Sequence, residues 1–305
     1  MDTPDIRSLD ALRREGWTRK DVRGAVEEGT LERIRVGRFV VPAERTYAED
    51  HVLRTIAAWH ARSDDHLVSH TSAAVFHGLP VRKPAVAEIH LTRWSTTNGK
   101  LTAGVRLHRA KVPDDQVVWL HGVRVTSLER TIADLARWEP FEWGVVAADA
   151  ALRARAQRPL MAELADQGMR KKNIGRLRQV LAFADERAES AAESMSRVSI
   201  ARAGLPAPEL QFEVHYPDNG GWVATSDFGW PEHRVVGEMD GKQKYTDDPR
   251  RGRTAGDVIM DEKGRDALIL DCDYTPAHWG WSLATNHKKL GNHLRAVFAT
   301  RGFRV

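Results

Sequence analysis

Apolar and polar positions follow different rhythms in different parts of this chain. Near the N-terminus, Leu9 and Leu12 with Arg13 recur at helical spacing between Ser8 and Glu15. Gly16-Trp17 breaks the run, and Thr18 supplies an N-capping hydroxyl. Val22, Ala25 and Val26 then carry a second amphipathic stretch from Arg19 to Glu28, which Gly29 closes as glycine does past a helix end. From Leu31 to Val41 apolar and basic residues alternate around Gly37, which predicts a two-stranded hairpin. Helix, tight turn, helix and basic hairpin outline a winged helix-turn-helix over residues 1–45.

The rhythm then turns mixed. Glu88–Thr92, Val105–Arg109 and Val117–Val125 read as short strands. Thr126-Ser127-Leu128-Glu129 reads as a capping box opening a helix through Ile132, Leu135 and Ala136. A small α+β middle domain over residues 46–150 is expected, then a basic helical connector over 151–187. In that connector Arg153, Arg155, Arg158, Arg170, Lys171, Lys172, Arg176 and Arg178 are opposed only by Glu163 and Asp166. The bias suits either a phosphate-tracking face or a solvated helix joining two domains. His51, His60, His66, His70, His77, His90 and His108 crowd this region, but their spacing matches no ligand motif. The expectation is that they hold no zinc, with His70 and His77 at helix ends.

Period-two patterning marks two stretches within residues 188–305. Trp222 to Phe228 reads as a strand with Trp222, Ala224, Ser226 and Phe228 on one face and Val223, Thr225 and Asp227 on the other. Gly229-Trp230-Pro231-Glu232 reads as a turn. In the next strand Val236, Glu238, Asp240 and Lys242 share a face, opposite Val235, Gly237 and Met239. A hairpin would set Asp227 beside Glu238 and Asp240. Such charges on a half-buried face are costly unless they are paired or hold a metal. Clustered carboxylates with a lysine suit Mg²⁺ or Mn²⁺ and an activated water, the chemistry of phosphodiester hydrolysis. The alternative is an ion-pair network or a solvated face. Farther on, Pro276 would block a central ladder position and casts doubt on the last strand.

These residues resemble the PD-(D/E)XK nuclease superfamily and its Vsr-like branch over roughly residues 188–290. The resemblance implies Asp227 as first acid, Glu238 or Asp240 as second, and Lys242 as the lysine. It also implies Glu193, on an upstream helix, as a third metal ligand. Asp240 is then either a further ligand or the group that positions Lys242. Lys244, Lys263 and Arg265 are expected to grip flanking phosphates. Ser226 stands where the motif has proline.

A second resemblance, over roughly residues 5–140, is to AbiEi-family antitoxins of type IV toxin–antitoxin systems. It rests on Gly16-Trp17-Thr18-Arg19, Gly29-Thr30-Leu31, Arg35-Val36-Gly37-Arg38-Phe39-Val40, Val68-Ser69-His70-Thr71-Ser72-Ala73-Ala74 and His77-Gly78-Leu79-Pro80. It implies operator binding and a cognate toxin as partner. Arg19, Lys20 and Arg23 on the second helix, with Arg33, Arg35 and Arg38 on the hairpin, are the expected DNA contacts. Asp21, Glu27, Glu28 and Glu32 dilute that basic character. Regulators of this kind often dimerise, though no heptad or apolar stripe marks a homodimer here.

Composition sets the outer bounds. With 305 residues and 42% hydrophobic content the chain can hold several packed domains. The expected class is an α+β and α/β multidomain protein: winged helix-turn-helix, small α+β middle domain, and a restriction-endonuclease-like αβ core with a mixed central sheet. Cys272 is the single cysteine, which excludes an internal disulfide and fits a reducing cytoplasm. No apolar run approaches the ~18 residues of a membrane span, so no membrane partner is expected. The net charge of +4 is compatible with nucleic acid. Two functions follow as expectations: a DNA-binding, metal-dependent endonuclease, or an antitoxin and transcriptional regulator whose nuclease-like half is not catalytic.

Overall fold

The computed structural model describes residues 5–62, 65–94, 101–169, 171–240 and 255–304, with the backbone alone for 255–262. The chain divides into two compact units, Met1–Ala147 with Arg155–Ala182, and Ala148–Ala154 with Phe183–Val305. Among the described residues, no helix is long and apolar enough to cross a membrane.

The first unit opens with β1 (Arg7–Ser8), α1 (Leu9–Arg14), α2 (Arg19–Glu27), β2 (Glu32–Arg35) and β3 (Arg38–Val40). Ser8 caps α1, its Oγ accepting the Ala11 N–H at 3.0 Å. Thr18 caps α2 reciprocally: Thr18 Oγ1 accepts from Asp21 N–H at 3.2 Å, and Asp21 Oδ2 accepts from Thr18 N–H at 2.8 Å. Asp21 therefore fastens the helix start rather than merely diluting charge. Leu12, Val22, Ala25, Leu31 and Phe39 bury together, so both helices and the hairpin share one small core. β1 pairs with the outer side of β3, giving the strand order β1-β3-β2.

Next come α3 (Tyr47–Trp59), β4 (Leu67–Val68), α4 (His70–Phe76), β5 (Ile89–Arg93), β6 (Leu101–Thr102), β7 (Val105–Arg109), β8 (Val117–Leu120), β9 (Val123–Thr126), α5 (Leu128–Trp138), α6 (Phe141–Arg153), α7 (Arg158–Gln167) and α8 (Ile174–Phe183). The sheet runs β6-β7-β5-β4-β9-β8, with β5 and β7 parallel and β4 and β9 parallel. Val117–Val125 is not one strand but a hairpin. His121 and Gly122 both take positive φ, 49° and 75°, the combination a tight two-residue turn requires. The cap of α5 also lies one residue later than expected. Ser127 Oγ accepts from Arg130 N–H at 3.3 Å, while Thr126 Oγ1 bonds Thr131 Oγ1 at 2.8 Å. Glu129 accepts instead from Gln157 N–H at 3.2 Å.

The arginines of the basic helices are largely engaged. Arg176 donates to the carbonyls of Ala136 (3.0 Å) and Arg137, in the last turn of α5. Arg158 reaches Leu181 O at 3.3 Å, and Arg178 pairs with Asp166 at 3.4 Å. Cations on terminal carbonyls satisfy orphan acceptors and complement the helix dipole. These contacts tie α7 and α8 to each other and to α5.

The second unit holds α9 (Ala191–Arg202), β10 (Glu209–His215), β11 (Trp222–Trp230), β12 (Val235–Asp240), α10 (Ala255–Asp271), β13 (Thr275–Gly280), α11 (Trp281–Ala284) and α12 (His287–Thr300). The sheet order is β10-β11-β12-β13; the first three strands are antiparallel and β13 joins in parallel. β11 continues through Gly229-Trp230 instead of turning there, and the turn falls at 231–234, where Arg234 takes φ 52°. Trp230 stays in the strand because it is buried, edge-on to Phe298 at 5.4 Å, with Nε1 donating to Pro206 O at 2.9 Å. Gly237 is required under Trp279: a Cβ there would lie 2.5 Å from the indole. Val214, Ala224, Val236, Ile269 and Cys272 form a second core cluster.

Pro276 does not interrupt the sheet, because β13 is an edge strand. Thr275 N–H turns inward to Arg234 O at 2.8 Å. By alternation the Pro276 nitrogen, which has no hydrogen, turns outward, where a ladder bond is not needed.

Candidate functional site

Three groups of side chains bear on function. The first lies on α2 and the hairpin. Arg19, Lys20, Arg23 and Arg33 are exposed, as a nucleic-acid contact requires. Arg35 and Arg38 are half-buried. Arg38 is partly committed, donating to Gly37 O and His60 O at 3.3 Å each.

The second group lies where β11 and β12 separate. Their ladder ends at Phe228↔Gly237. Beyond it, Asp227 Oδ2 accepts the Met239 N–H at 2.7 Å, so the carboxylate takes the place of a ladder partner. Glu238 is buried, and its Oε1 meets Ser226 Oγ at 3.3 Å and Arg265 Nη2 at 2.5 Å. Ser226 is a β11 side chain hydrogen-bonded to Glu238. Arg265 also donates to Thr225 O at 2.6 Å, so it braces the sheet as well as pairing with a carboxylate. Lys263 is exposed. Lys242 and Lys244 lie outside the described residues.

Asp240 faces His278 Nδ1 at 3.6 Å, and His278 Nε2 lies 3.1 Å from each Asp266 oxygen. Burial pushes the His278 pKa down, but Asp266 and Asp240 outweigh it and the net shift is upward. Neither His278 nor Asp266 stood out in the sequence. Glu193 sits in the first turn of α9, with Oε2 accepting from Glu189 N–H at 2.7 Å and Gln211 Nε2 at 3.4 Å. Burial raises its pKa, and the Asp227 charge adds to that. Glu193 and Asp227 thus feel each other. Among the described residues, however, the acids of this unit do not form a set of three oxygen donors around one point.

The third group was not expected. His70, His90 and His108 come together in the first unit, their ligand nitrogens within 4.8 Å of one another. The parallel register of β5 and β7 sets Thr92 opposite His108 and His90 opposite Arg106, so the two histidines stand diagonally on one face. His70 enters from the start of α4 with φ 50°, an unusual angle for a residue other than glycine. No local spacing announces this cluster, because a β-ladder makes it. A neighbouring histidine, His51, is also fully buried: Nδ1 faces Val86 O at 3.0 Å and Nε2 faces Ser72 Oγ at 2.8 Å.

The third group falls within a stretch that is similar to a known family. Residues 67–183 match the family model of the AbiEi antitoxin C-terminal domain. This segment starts and ends later than the stretch expected from the sequence, and takes in the histidines and the arginine-capped helices. The chain is 29% identical over 232 residues to an uncharacterized protein of Mycobacterium tuberculosis strain CDC 1551 / Oshkosh, covering 73% of this chain and 78% of that protein. The same identity and coverage hold for an uncharacterized protein of strain H37Rv. The crystal structure of the RV2827C protein from Mycobacterium tuberculosis aligns with a TM-score of 0.41 at 14% identity, over 72% of this chain and 87% of that one.

Proposed function

We propose that this protein is a DNA-binding regulator of the antitoxin kind. The observation that carries the reading is the AbiEi antitoxin C-terminal domain match at residues 67–183, placed behind a helix–turn–helix with a basic hairpin. In this reading the N-terminal segment is a winged helix. Arg19, Lys20 and Arg23 on α2 meet base edges and phosphates in a major groove, and Arg33, Arg35 and Arg38 reach the backbone beside it. The 67–183 segment serves a cognate toxin partner. The nuclease-like half is then a non-catalytic binding platform.

A second reading keeps a Vsr-like, PD-(D/E)XK-type endonuclease in the second unit. It is favoured by Asp227 and Glu193 sensing each other where two strands part. Mg²⁺ would supply charge neutralisation at phosphate and an acidified water. Asp227 and Glu193 are the pair that could offer it oxygens; Lys242, the expected lysine, lies outside the described residues. The fit is incomplete, because Glu238 is paired with Arg265.

One experiment separates the two. Mobility shift on the promoter DNA of its own operon, and co-purification with the product of the adjacent gene, are run beside plasmid cleavage in Mg²⁺ and Mn²⁺. Specific promoter binding and a bound neighbour, without cleavage, support the regulator. Metal-dependent nicking that Asp227→Ala/Glu238→Ala abolishes would overturn it in favour of the nuclease.

A further inference from the structure

We propose that His70, His90 and His108 form a binding site for a divalent transition-metal ion, zinc first among them. Nothing in the regulator reading requires such a site. Three imidazoles with a fourth position left to water or an anion make up a familiar zinc donor set. Zinc–nitrogen bonds of 2.0–2.1 Å hold tetrahedral ligand nitrogens about 3.3 Å apart. His90 Nδ1 and His108 Nε2 already stand 3.0 Å apart, joined by a hydrogen bond that an ion between them would replace.

The third donor has its supporting contact in place. Ser69 Oγ engages His70 Nδ1 at 3.0 Å, which leaves Nε2 as the ligating nitrogen. Ser69 is itself fixed by Thr92 Oγ1, which donates to it at 2.7 Å. A ligating histidine held at its other nitrogen is the arrangement metal sites use to fix tautomer and ring direction. Ser69 stands at the N-cap of α4 yet makes no side-chain cap bond, its hydroxyl being used on His70 instead. The His70 ring stacks on that of His108, centroids 3.6 Å apart, so loading requires the His108 ring to turn while Ser69 keeps hold of His70.

Trp138 closes the cluster. Its ring stands edge-on to all three imidazoles at 4.9–5.8 Å, and 44% of the residue is exposed. His108 is only half-buried, so an ion has a way in beside the indole. The surrounding charge is small and positive: Arg106 pairs with Glu88 at 2.8 Å, while Arg130 and Arg137 share Asp134 at 2.9 and 3.5 Å. That balance favours an anionic fourth ligand.

The test uses the full chain, stripped with chelator and dialysed. ZnCl₂ is titrated by calorimetry, and CoCl₂ is followed in visible light. One ion per chain is expected, with the intense bands of tetrahedral Co²⁺ bleached by added Zn²⁺. His90→Gln and His108→Gln each lower affinity by at least about 100-fold, and Ser69→Ala by about 10-fold. His215→Gln, an exposed histidine of the second unit, leaves affinity unchanged. Circular dichroism shows which variants fold. Unchanged zinc affinity in a folded His90→Gln protein overturns the proposal. If the variants do not fold, the wild-type Co²⁺ spectrum decides: tetrahedral bands support the site, and an octahedral or absent spectrum overturns it.

Discussion

Arg265 reaches from α10 to Glu238 on β12, Nη2 to Oε1 at 2.5 Å, and so places a cation against a carboxylate that is 4% exposed. This contact bears on both functional readings. A buried carboxylate already paired by an arginine is stabilised as an anion but is less available to a metal. Arg265→Ala removes the cation and leaves the acid buried. The expected loss is about 2 kcal/mol, the scale of a charged hydrogen bond, since the guanidinium is partly open to water. Arg265→Ala with Glu238→Gln recovers part of it. Urea denaturation of the three proteins measures both steps, and equal midpoints for Arg265→Ala and wild type would contradict the account.

Arg176 caps α5 across sequence, through the carbonyls of Ala136 and Arg137. Replacing it with alanine returns the Ala136 carbonyl to water and leaves the Arg137 carbonyl to Asn173 Nδ2, at 2.8 Å. A loss of about 1.5–3 kcal/mol is expected, again from denaturation midpoints. Arg178→Ala, which breaks only an exposed pair with Asp166, should cost under about 1 kcal/mol. If the two variants match, Arg176 is not a cap.

The α2 cations give a salt signature. Each phosphate contact adds roughly one to the slope of log affinity against log salt. Arg19→Ala/Lys20→Ala/Arg23→Ala should therefore flatten that slope by up to about 3 and weaken promoter binding. Fluorescence anisotropy at several salt concentrations reads it. An unchanged slope would remove α2 from the interface.

His51 makes stability pH-dependent. Burial lowers its pKa from 6.5 to about 4, with the Val86 carbonyl opposing. The unfolded chain therefore binds a proton that the folded one refuses. The His51 contribution is fully present above pH 6.5 and is lost as pH falls from there towards 4. The slope is at most about 1.4 kcal/mol per pH unit, about 3 kcal/mol across the window. His51→Gln should flatten the pH dependence between 7 and 4 by that order. An identical pH profile in the variant would show that His51 is not the group responsible.

What the sequence made legible was local. Thr18, Gly29 and the helical spacing of Val22 and Ala25 set out α2 without reference to the rest of the chain, and Val105–Arg109 is a strand as its pattern predicts. What it hid depended on distant partners. Trp230 looks like part of a turn until Phe298 buries it. Arg158 and Arg176 read as basic surface in the sequence, and in the structure they donate to carbonyls near the ends of α8 and α5. The acids Asp227 and Glu238 stand out in the sequence, but it does not show the backbone amide and the arginine that they meet. His90 and His108 are 18 positions apart and meet only through a parallel ladder. Spacing rules for metal motifs do not see such pairs.

Pro276 has a consequence for association. A strand edge is a template for another chain, and among the described residues β13 is an edge of its sheet. A strand arriving there would need the amide that proline lacks. Pro276 thus removes one amide that an added strand would use on that side, and the residue that looked like a flaw in the sheet disfavours its extension.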